Sequence, residues 1–491
     1  MAAVMIQGCG SDVGKSVLVA GLCRLFTRRG LAVRPFKSQN MSNNAAVTPG
    51  GGEIGRAQAL QAQACRVQAC VDMNPVLLKP QSEIGAQLIV RGRMSGTLAA
   101  SAHGADKRAL LEVALESYRR LAGEAQLMIV EGAGSPAEAN LRTHDIANMG
   151  LAQALGLPVV LVGDIHRGHV IASLVGAHAV LDPPDRALIK GFVINKFRGD
   201  PRLFDDGLRR ISAHTSWPSL GVVPWLRAAD RLPSEDGMQL ESRDRSRAAL
   251  PRPKIAVLQL SRIANFDEFD ALRAEPDIEL AFVRPGDPLP ADAALVVIPG
   301  TKSTIAELDF LRTQGWDIDV LAHVRRGGRV LGVCGGYQML GQSVSDPDGI
   351  EGAPRTVAGL GLLDVQTVMT ADKTLREVSG AIVGLAAGAA APFNGYEMHV
   401  GVTTGAGIAR PLLQFDSGTP DGAVSADGRV AGCYVHGLFG LTPARAALLS
   451  SVGAASGSVD HAARVDAALD EIAVVLQGCL DIDALAAIAG L

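Results

Sequence analysis

Short apolar, β-branched runs alternate with helical segments through the first half of the chain, and this alternation limits the fold more than any other feature. "AVMIQ" leads into a glycine-rich stretch, and "KSVLVAGLCRLFTRRG" then carries apolar residues at three- and four-residue spacing until Gly30. "LAVRPFK", an Ala/Gln-rich helix from Glu53, "QLMIVEGAG", "LPVVLVGD" and "LIKGFVINKF" continue the series. Strands this apolar, separated by helices, predict a parallel sheet covered on both faces. From Leu226 the pattern gives way to a charged stretch with three prolines, ending at Lys254. A second α/β series follows in "KIAVLQL", "IELAFVR", "ALVVIPG" and "GRVLGVCGG". "GLGLLDVQT" and "VSADGRVAGCYVHG" read as more antiparallel, with Asp427-Gly428 as a hairpin turn. The reading is α/β with two doubly wound domains, at 1–232 and 253–445, a linker at 233–252 and a helical tail at 446–491.

A chain of 491 residues exceeds one ordinary core. Its formal net charge of −4 gives no electrostatic reason to expect nucleic acid or an anionic membrane as partner. The 7 cysteines form no C-x-x-C pair, which fits a reducing compartment. No apolar stretch of membrane-spanning length is free of Gly, Pro or charge, and no cleavable leader is legible, so a cytoplasmic protein is expected.

"GCGSDVGKS" follows the first apolar run at a strand-to-helix junction. A phosphate loop needs backbone N–H groups converging at a helix N-terminus, a lysine for the terminal phosphates and a hydroxyl for Mg²⁺. Gly8, Ser11, Asp12, Gly14, Lys15 and Ser16 are the candidates, although Cys9 stands where the usual first glycine is expected. A strand-turn-helix capped by Ser11 or Asp12 is the plainer alternative. Glu131 ends a buried strand, where a Mg²⁺ ligand or a helix cap belongs. Glu53 is a second metal candidate beside Ser16 and Glu131, and Asn195 ends another strand in "FVINKF".

"GVCGGYQMLG" sets Cys334 between a strand and a helix in a G-x-C-x-G frame, the arrangement of a nucleophile elbow. The Gly335 N–H is a candidate oxyanion donor, with a second from the "PGTKST" loop around Gly300 and Thr301. His436 in "YVHGLF" is the candidate base. His399 in "NGYEMHVG" is the competing base, but with Tyr396 it is assigned to glutamine binding.

Together these pieces resemble a class I glutamine amidotransferase domain fused behind a dethiobiotin synthetase-like ATPase, as in the cobyric acid synthase family of cobalamin biosynthesis. The resemblance runs nearly end to end, through "PFKSQNMSNNA", "EIGRAQALQA", "VDMNPVLLKP", "EGAGSPAEANL", "DIANMG", "PVVLVGDI", "GFVINKFRGD", "PGTKST", "VCGGYQMLG" and "YVHGLF". "PFKSQNMS" and "MNPVLLKP" are its most specific stretches. The loop spacing G-x-x-x-x-x-G-K-[ST] is that of the dethiobiotin synthetase-like enzymes, in which an asparagine placed like Asn195 reads the adenine. The resemblance implies ATP- and glutamine-dependent amidation of the b, d, e and g carboxylates of adenosylcobyrinic acid a,c-diamide, with Mg²⁺ at the nucleotide. Ammonia in water becomes ammonium, so a shielded path between the two sites is expected. In the loop after the second strand, Lys37, Gln39, Asn40 and Asn43 are read as a wall of the corrinoid pocket, or else as a solvated turn.

Four positions depart from the pattern. Leu438 stands where class I amidotransferases commonly place a glutamate, so no third catalytic member is assigned; cobalamin-type relatives resemble this chain in that. His166 and His169 replace the usual Asp and Gly, and Cys433 replaces a usual threonine. The alternatives are a cobyrinic acid a,c-diamide synthase, a non-catalytic P-loop scaffold, and a partition-type ATPase. Gly10 disfavours the last, because a signature lysine belongs there, as does the acidic tail "LDIDALAAIAGL".

Overall fold

Ala2–Gly8 is buried at every position, as a strand covered by helices on both faces must be. In the computed structural model, which describes residues 1–82, 85–99, 104–233, 252–385, 390–457 and 460–491, this strand lies inside a six-stranded sheet. Neighbours run Ser219–Pro224, Ile189–Phe197, Val159–Asp164, Ala2–Gly8, Leu127–Glu131 and Val33–Phe36, and every pair is parallel. The first strand thus has a later strand on each side, so its carboxyl end opens at the point where strand order reverses. The register sets Ile6 beside Glu131 and Phe36 beside Val130. A smaller four-stranded sheet pairs Gln39–Met41, Val76–Ser82, Gly85–Val90 and Arg93–Ala99.

The helix expected from Glu53 begins three residues later. Glu53–Gly55 is a strand and Arg56–Ala64 the helix. Ala and Gln favour a helix, but tertiary contacts override the start. Glu53 is buried against Lys79, and the Gly55 N–H donates to Asn74 Oδ1 at 3.0 Å.

The chain divides into two units, Met1–Ser42 with Gly52–Pro233 and Val465–Leu491, and Asn43–Gly51 with Ser234–Arg464. Most of the 233–252 linker reading lies outside the described residues. The 446–491 segment read as one tail is shared: the Thr442–Ser451 helix groups with the second unit, and Val465–Leu491 with the first. In the first unit the helix of Lys15–Arg28 packs on that of His461–Cys479. A Cβ on Gly21 would meet Ile472 and Leu476 at 2.6 Å, and fully buried Arg24 bonds Asp466 at 2.5 Å.

In the second unit a sheet runs Glu279–Val283, Lys254–Leu258, Ala293–Ile298, Arg329–Val333, Val430–Cys433 and Ala423–Val424. All pairs are parallel except the last. "VAGC" therefore differs in part from the antiparallel expectation. The 423–433 hairpin does turn at Asp427-Gly428, but its second strand joins the parallel sheet beside Arg329–Val333. A second sheet is built on the long hairpin of Gln366–Ile382 and Ala391–Thr404. The fold is that of two α/β units, a P-loop-type parallel sheet and an amidotransferase-like sheet.

Candidate active sites

Gly8 carries the first turn of the phosphate loop. A Cβ there would lie 2.5 Å from Val13 Cγ2 and 3.0 Å from Lys15 Nζ, whereas at Gly10 the nearest atom is at 3.9 Å. Gly14, at φ 89°, ends the loop as the N-cap of the helix, and a Cβ on it would meet Asn195 Nδ2 at 2.4 Å. Only glycine fits such a backbone and such a gap. Ser11 and Asp12 are exposed and neither caps the helix. Lys15 Nζ donates to the Gly10 and Gly134 carbonyls at 3.0 and 3.1 Å, which holds the ammonium across the mouth of the loop. Asn195 is buried, and its Nδ2 donates to the Val13 carbonyl at 2.8 Å. Its amide nitrogen thus fixes the loop.

Glu131 gathers three donors. Its Oε1 accepts from Ser16 Oγ at 2.8 Å and from Lys37 Nζ at 2.9 Å, and its Oε2 from Gln61 Nε2 at 2.5 Å. Ser16 Oγ and Glu131 are two hard oxygens at the end of the phosphate loop, and that donor set fits Mg²⁺, which keeps most of its own waters. Among the described residues no cluster of three His, Cys, Asp or Glu side chains could hold a metal by itself. Glu53 is engaged elsewhere, in the buried ion pair with Lys79 at 2.5 Å.

Of the four residues read as a corrinoid wall, two are held by side-chain hydrogen bonds within the first unit. Lys37 sits on Glu131, and Asn40 Nδ2 donates to Gln58 Oε1 at 3.0 Å. Gln39 is half-buried in the 39–41 strand, and Asn43 belongs to the second unit. "PFKSQN", "EIGRAQALQ" and "VDMNPVLLKP" instead meet in one network, in which Asn74 accepts from the Gly55 N–H and donates to the Lys37 carbonyl at 3.1 Å.

In the second unit Cys334 has φ 52° and ψ −111°. A non-glycine residue held there is strained, as a nucleophile elbow is. Close packing imposes it. A Cβ on Gly336 would lie 1.9 Å from the Ile298 carbonyl oxygen, and one on Gly335 would lie 2.7 Å from Thr301 Cγ2 and 3.4 Å from the Thr301 nitrogen. The Gly335 and Thr301 backbones thus approach each other beside the thiol. His436 lies against Gly300, on which a Cβ would strike its Cε1 at 2.5 Å and stand 3.1 Å from its Nε2. The imidazole Nδ1 lies 3.0 Å from Glu268 Oε1, with side chains 1% and 2% exposed. Burial pulls the His436 pKa down, but the charges of Glu268 and Cys334 outweigh it and raise the value to about 10.

The Tyr396 ring stacks on His436 with centroids 5.5 Å apart. His399 stacks on Tyr434 at 3.6 Å, with its Nε2 3.5 Å from Glu397. Two residues were missed in the sequence. Glu268 is one. The other is buried Gln338, one helical turn after the thiol, which donates to the Val400 carbonyl and to Tyr434 Oη at 2.9 and 3.2 Å and accepts from Thr304 at 2.8 Å.

The CobQ/CobB/MinD/ParA nucleotide binding domain family matches residues 4–239, and the CobB/CobQ-like glutamine amidotransferase domain family matches residues 254–443. A cobyric acid synthase of Caulobacter sp. (strain K31) is 66% identical over 490 residues, covering 100% of both chains. The chain belongs to the cobyric acid synthase family. Cobyric acid synthases of Methylorubrum populi and Rhizorhabdus wittichii are each 60% identical, over 98% of both chains and over 100% and 99% respectively. As a member of the cobyric acid synthase family this protein is a glutamine-dependent amide ligase that uses ATP and acts in cobalamin biosynthesis. Among the described residues no helix is long and apolar enough to cross a membrane.

Proposed function

We propose that the protein converts adenosylcobyrinic acid a,c-diamide to adenosylcobyric acid by amidating the b, d, e and g carboxylates, consuming one glutamine and one ATP at each. The observation that carries this reading is the strained Cys334 at a strand-to-helix turn, with the buried His436–Glu268 pair against the Gly300–Thr301 loop that packs on Gly335, in a chain that also holds a complete phosphate loop. Cys334 attacks the glutamine amide carbon, and the tetrahedral oxyanion is received by the Gly335 and Thr301 N–H groups. His436 gives its proton to the departing ammonia and then activates the water that opens the thioester. Tyr396 and His399 line the glutamine. In the first unit a substrate carboxylate attacks the γ-phosphate of ATP, forming an acyl phosphate that ammonia displaces. Lys15 and Lys37 neutralise the transferring phosphoryl group. Ser16 and Glu131 would hold Mg²⁺, which supplies further charge neutralisation there, and Asn195 contacts the base.

The test uses Cys334→Ser in the full chain. Ammonium salts should still support synthesis while glutamine no longer does, and wild-type product mass should show four successive carboxylate-to-carboxamide shifts. A single shift would assign another amidation, and loss of ammonia-driven synthesis would sink the division of labour.

A further inference from the structure

The chain leaves the first unit after Ser42, runs through the second unit as Asn43–Gly51, and re-enters the first at Gly52. This excursion is a built part of the second unit. Asn44 to Thr48 are all buried, and Ala45–Val47 is a strand packed against Gln366–Ile382. At its near end the Ala45 N–H donates to Asn265 Oδ1 at 3.1 Å. At its far end Gly51 approaches the Leu375 carbonyl, and Leu375 is the register partner of Met398, whose carbonyl faces Cys334 Sγ at 3.6 Å. The strap therefore ends on Asn265 at one side and beside the strand that pairs with Met398 at the other.

Asn265 is where it holds. The residue is 2% exposed and sits at φ 54°, left-handed for a residue with a side chain. It opens the short helix Phe266–Phe269, and its carbonyl accepts from the Glu268 N–H at 3.1 Å. The preceding Ala264 N–H donates to the Gly300 carbonyl at 2.9 Å, and Ile263 bridges to Thr301. One residue thus ties three things together: the strap through its side chain, the His436 partner Glu268 through its carbonyl, and the Gly300–Thr301 loop through its neighbours.

We propose that Asn265 is a positioning residue of the glutaminase site, through which the 43–51 strap makes glutamine hydrolysis answer to what the first unit has bound. The inference rests on Cys334 and His436 being that site. Its physical basis is continuity of the chain. Lys37, on Glu131 at the phosphate end of the first unit, is six residues before Asn43. A shift of that loop on binding nucleotide or corrinoid reaches Ala45 along the backbone. From Ala45 it passes to Asn265 and so to the Glu268–His436 pair, whose 3.0 Å contact has little tolerance for movement.

The test is Asn265→Gly in the full chain, because glycine keeps the left-handed backbone and removes the side chain that bonds Ala45. Asn265→Asp serves as the conservative variant, since its carboxylate oxygen still accepts from the Ala45 N–H. Glutamine hydrolysis is measured with and without ATP, Mg²⁺ and cobyrinic acid a,c-diamide, and ammonia-driven amidation is measured alongside. In wild type the first-unit ligands should raise hydrolysis by about tenfold, within the usual span of coupling energies. Asn265→Gly should bring that ratio close to one with ammonia-driven amidation retained, and Asn265→Asp should restore it. A ratio unchanged in Asn265→Gly overturns the proposal, as does a wild-type ratio of one. Loss of ammonia-driven amidation in Asn265→Gly, which would mark a merely structural role, also overturns it. Hydrolysis that survives in Cys334→Ala is a different failure, and removes the glutaminase reading instead.

Discussion

Glu268 Oε1 lies 3.0 Å from His436 Nδ1, and Glu268 Oε2 accepts from the Gly437 N–H at 3.2 Å. The carboxylate is fixed to the ring and to the backbone that follows it. The same charge helps to raise the His436 pKa from 6.5 to about 10 against the pull of burial. Glu268→Gln keeps the shape and removes the charge. Glutaminase kcat should fall on the order of 10²-fold, and the alkaline limb of its pH profile should move to lower pH as His436 loses its proton earlier. The linkage has a definite sign. A histidine whose folded pKa lies above its unfolded value stabilises fully below pH 6.5 and loses that contribution as pH rises through about 10. Urea unfolding of wild type and Glu268→Gln at pH 6 and at pH 10 should therefore differ most at the lower pH.

Cys334 and His436 are legible in the sequence because their signals are local: glycines flank the thiol, and the histidine ends an apolar strand. Glu268 is not legible in that way. It comes 168 residues before the histidine, in "NFDEFD", where three carboxylates share one turn and nothing in the spacing says which is buried against an imidazole. Leu438, where a glutamate was looked for, is a core residue at 2% exposure. The carboxylate that meets the imidazole comes from another loop.

Lys37 should act at the phosphate end of the first unit. Phe36 is in register with Val130, so the residues that follow, Lys37 and Glu131, meet at the sheet's carboxyl edge. Sequence alone does not disclose that the second strand lies beside the third, and the polar loop around Lys37 reads equally well as substrate wall. Lys37→Met should lower kcat for ammonia-driven amidation by about 10²–10³-fold, with the KM for the corrinoid little changed. Steady-state kinetics decide it. A raised corrinoid KM at unchanged kcat would return Lys37 to the substrate wall.

Gly8 and Cys9 offer a direct comparison. In Gly8→Ala the new methyl would sit 2.5 Å from Val13 Cγ2 and 3.0 Å from the Lys15 ammonium. Overpacking of this kind costs about 1–3 kcal/mol. Cys9→Gly, which restores the shorter loop's glycine, adds no atom. Titration with ATP should show affinity reduced at least about tenfold in Gly8→Ala and essentially unchanged in Cys9→Gly. The spacing in the sequence points to Gly8, and the reason lies in the Val13 and Lys15 side chains, which no pattern match contains.

Gly21 tests how the last helices serve the first. Their Ala/Leu periodicity predicts helices without saying which surface they cover, and the partner surface is more than 400 residues away in sequence. In an isolated helix Gly21→Ala should stabilise by about 1 kcal/mol. Here the added Cβ would lie 2.6 Å from Ile472 Cγ2 and Leu476 Cδ1. Leu476 can yield by turning its terminal methyl aside, but Ile472 Cγ2 is one bond from its own Cβ and moves only with its helix. The packing cost, about 1–3 kcal/mol, should outweigh the gain, so Gly21→Ala is expected to lower the denaturation midpoint. Ile472→Ala alone leaves a cavity and should also destabilise, by about 2–5 kcal/mol. The pair should be less harmful than the sum, because each change makes room for the other. Denaturant unfolding of the four proteins gives the coupling directly. Strict additivity would mean that the two helices do not bear on each other at this point, and that the helix carrying Lys15 and Ser16 stands without the brace described above.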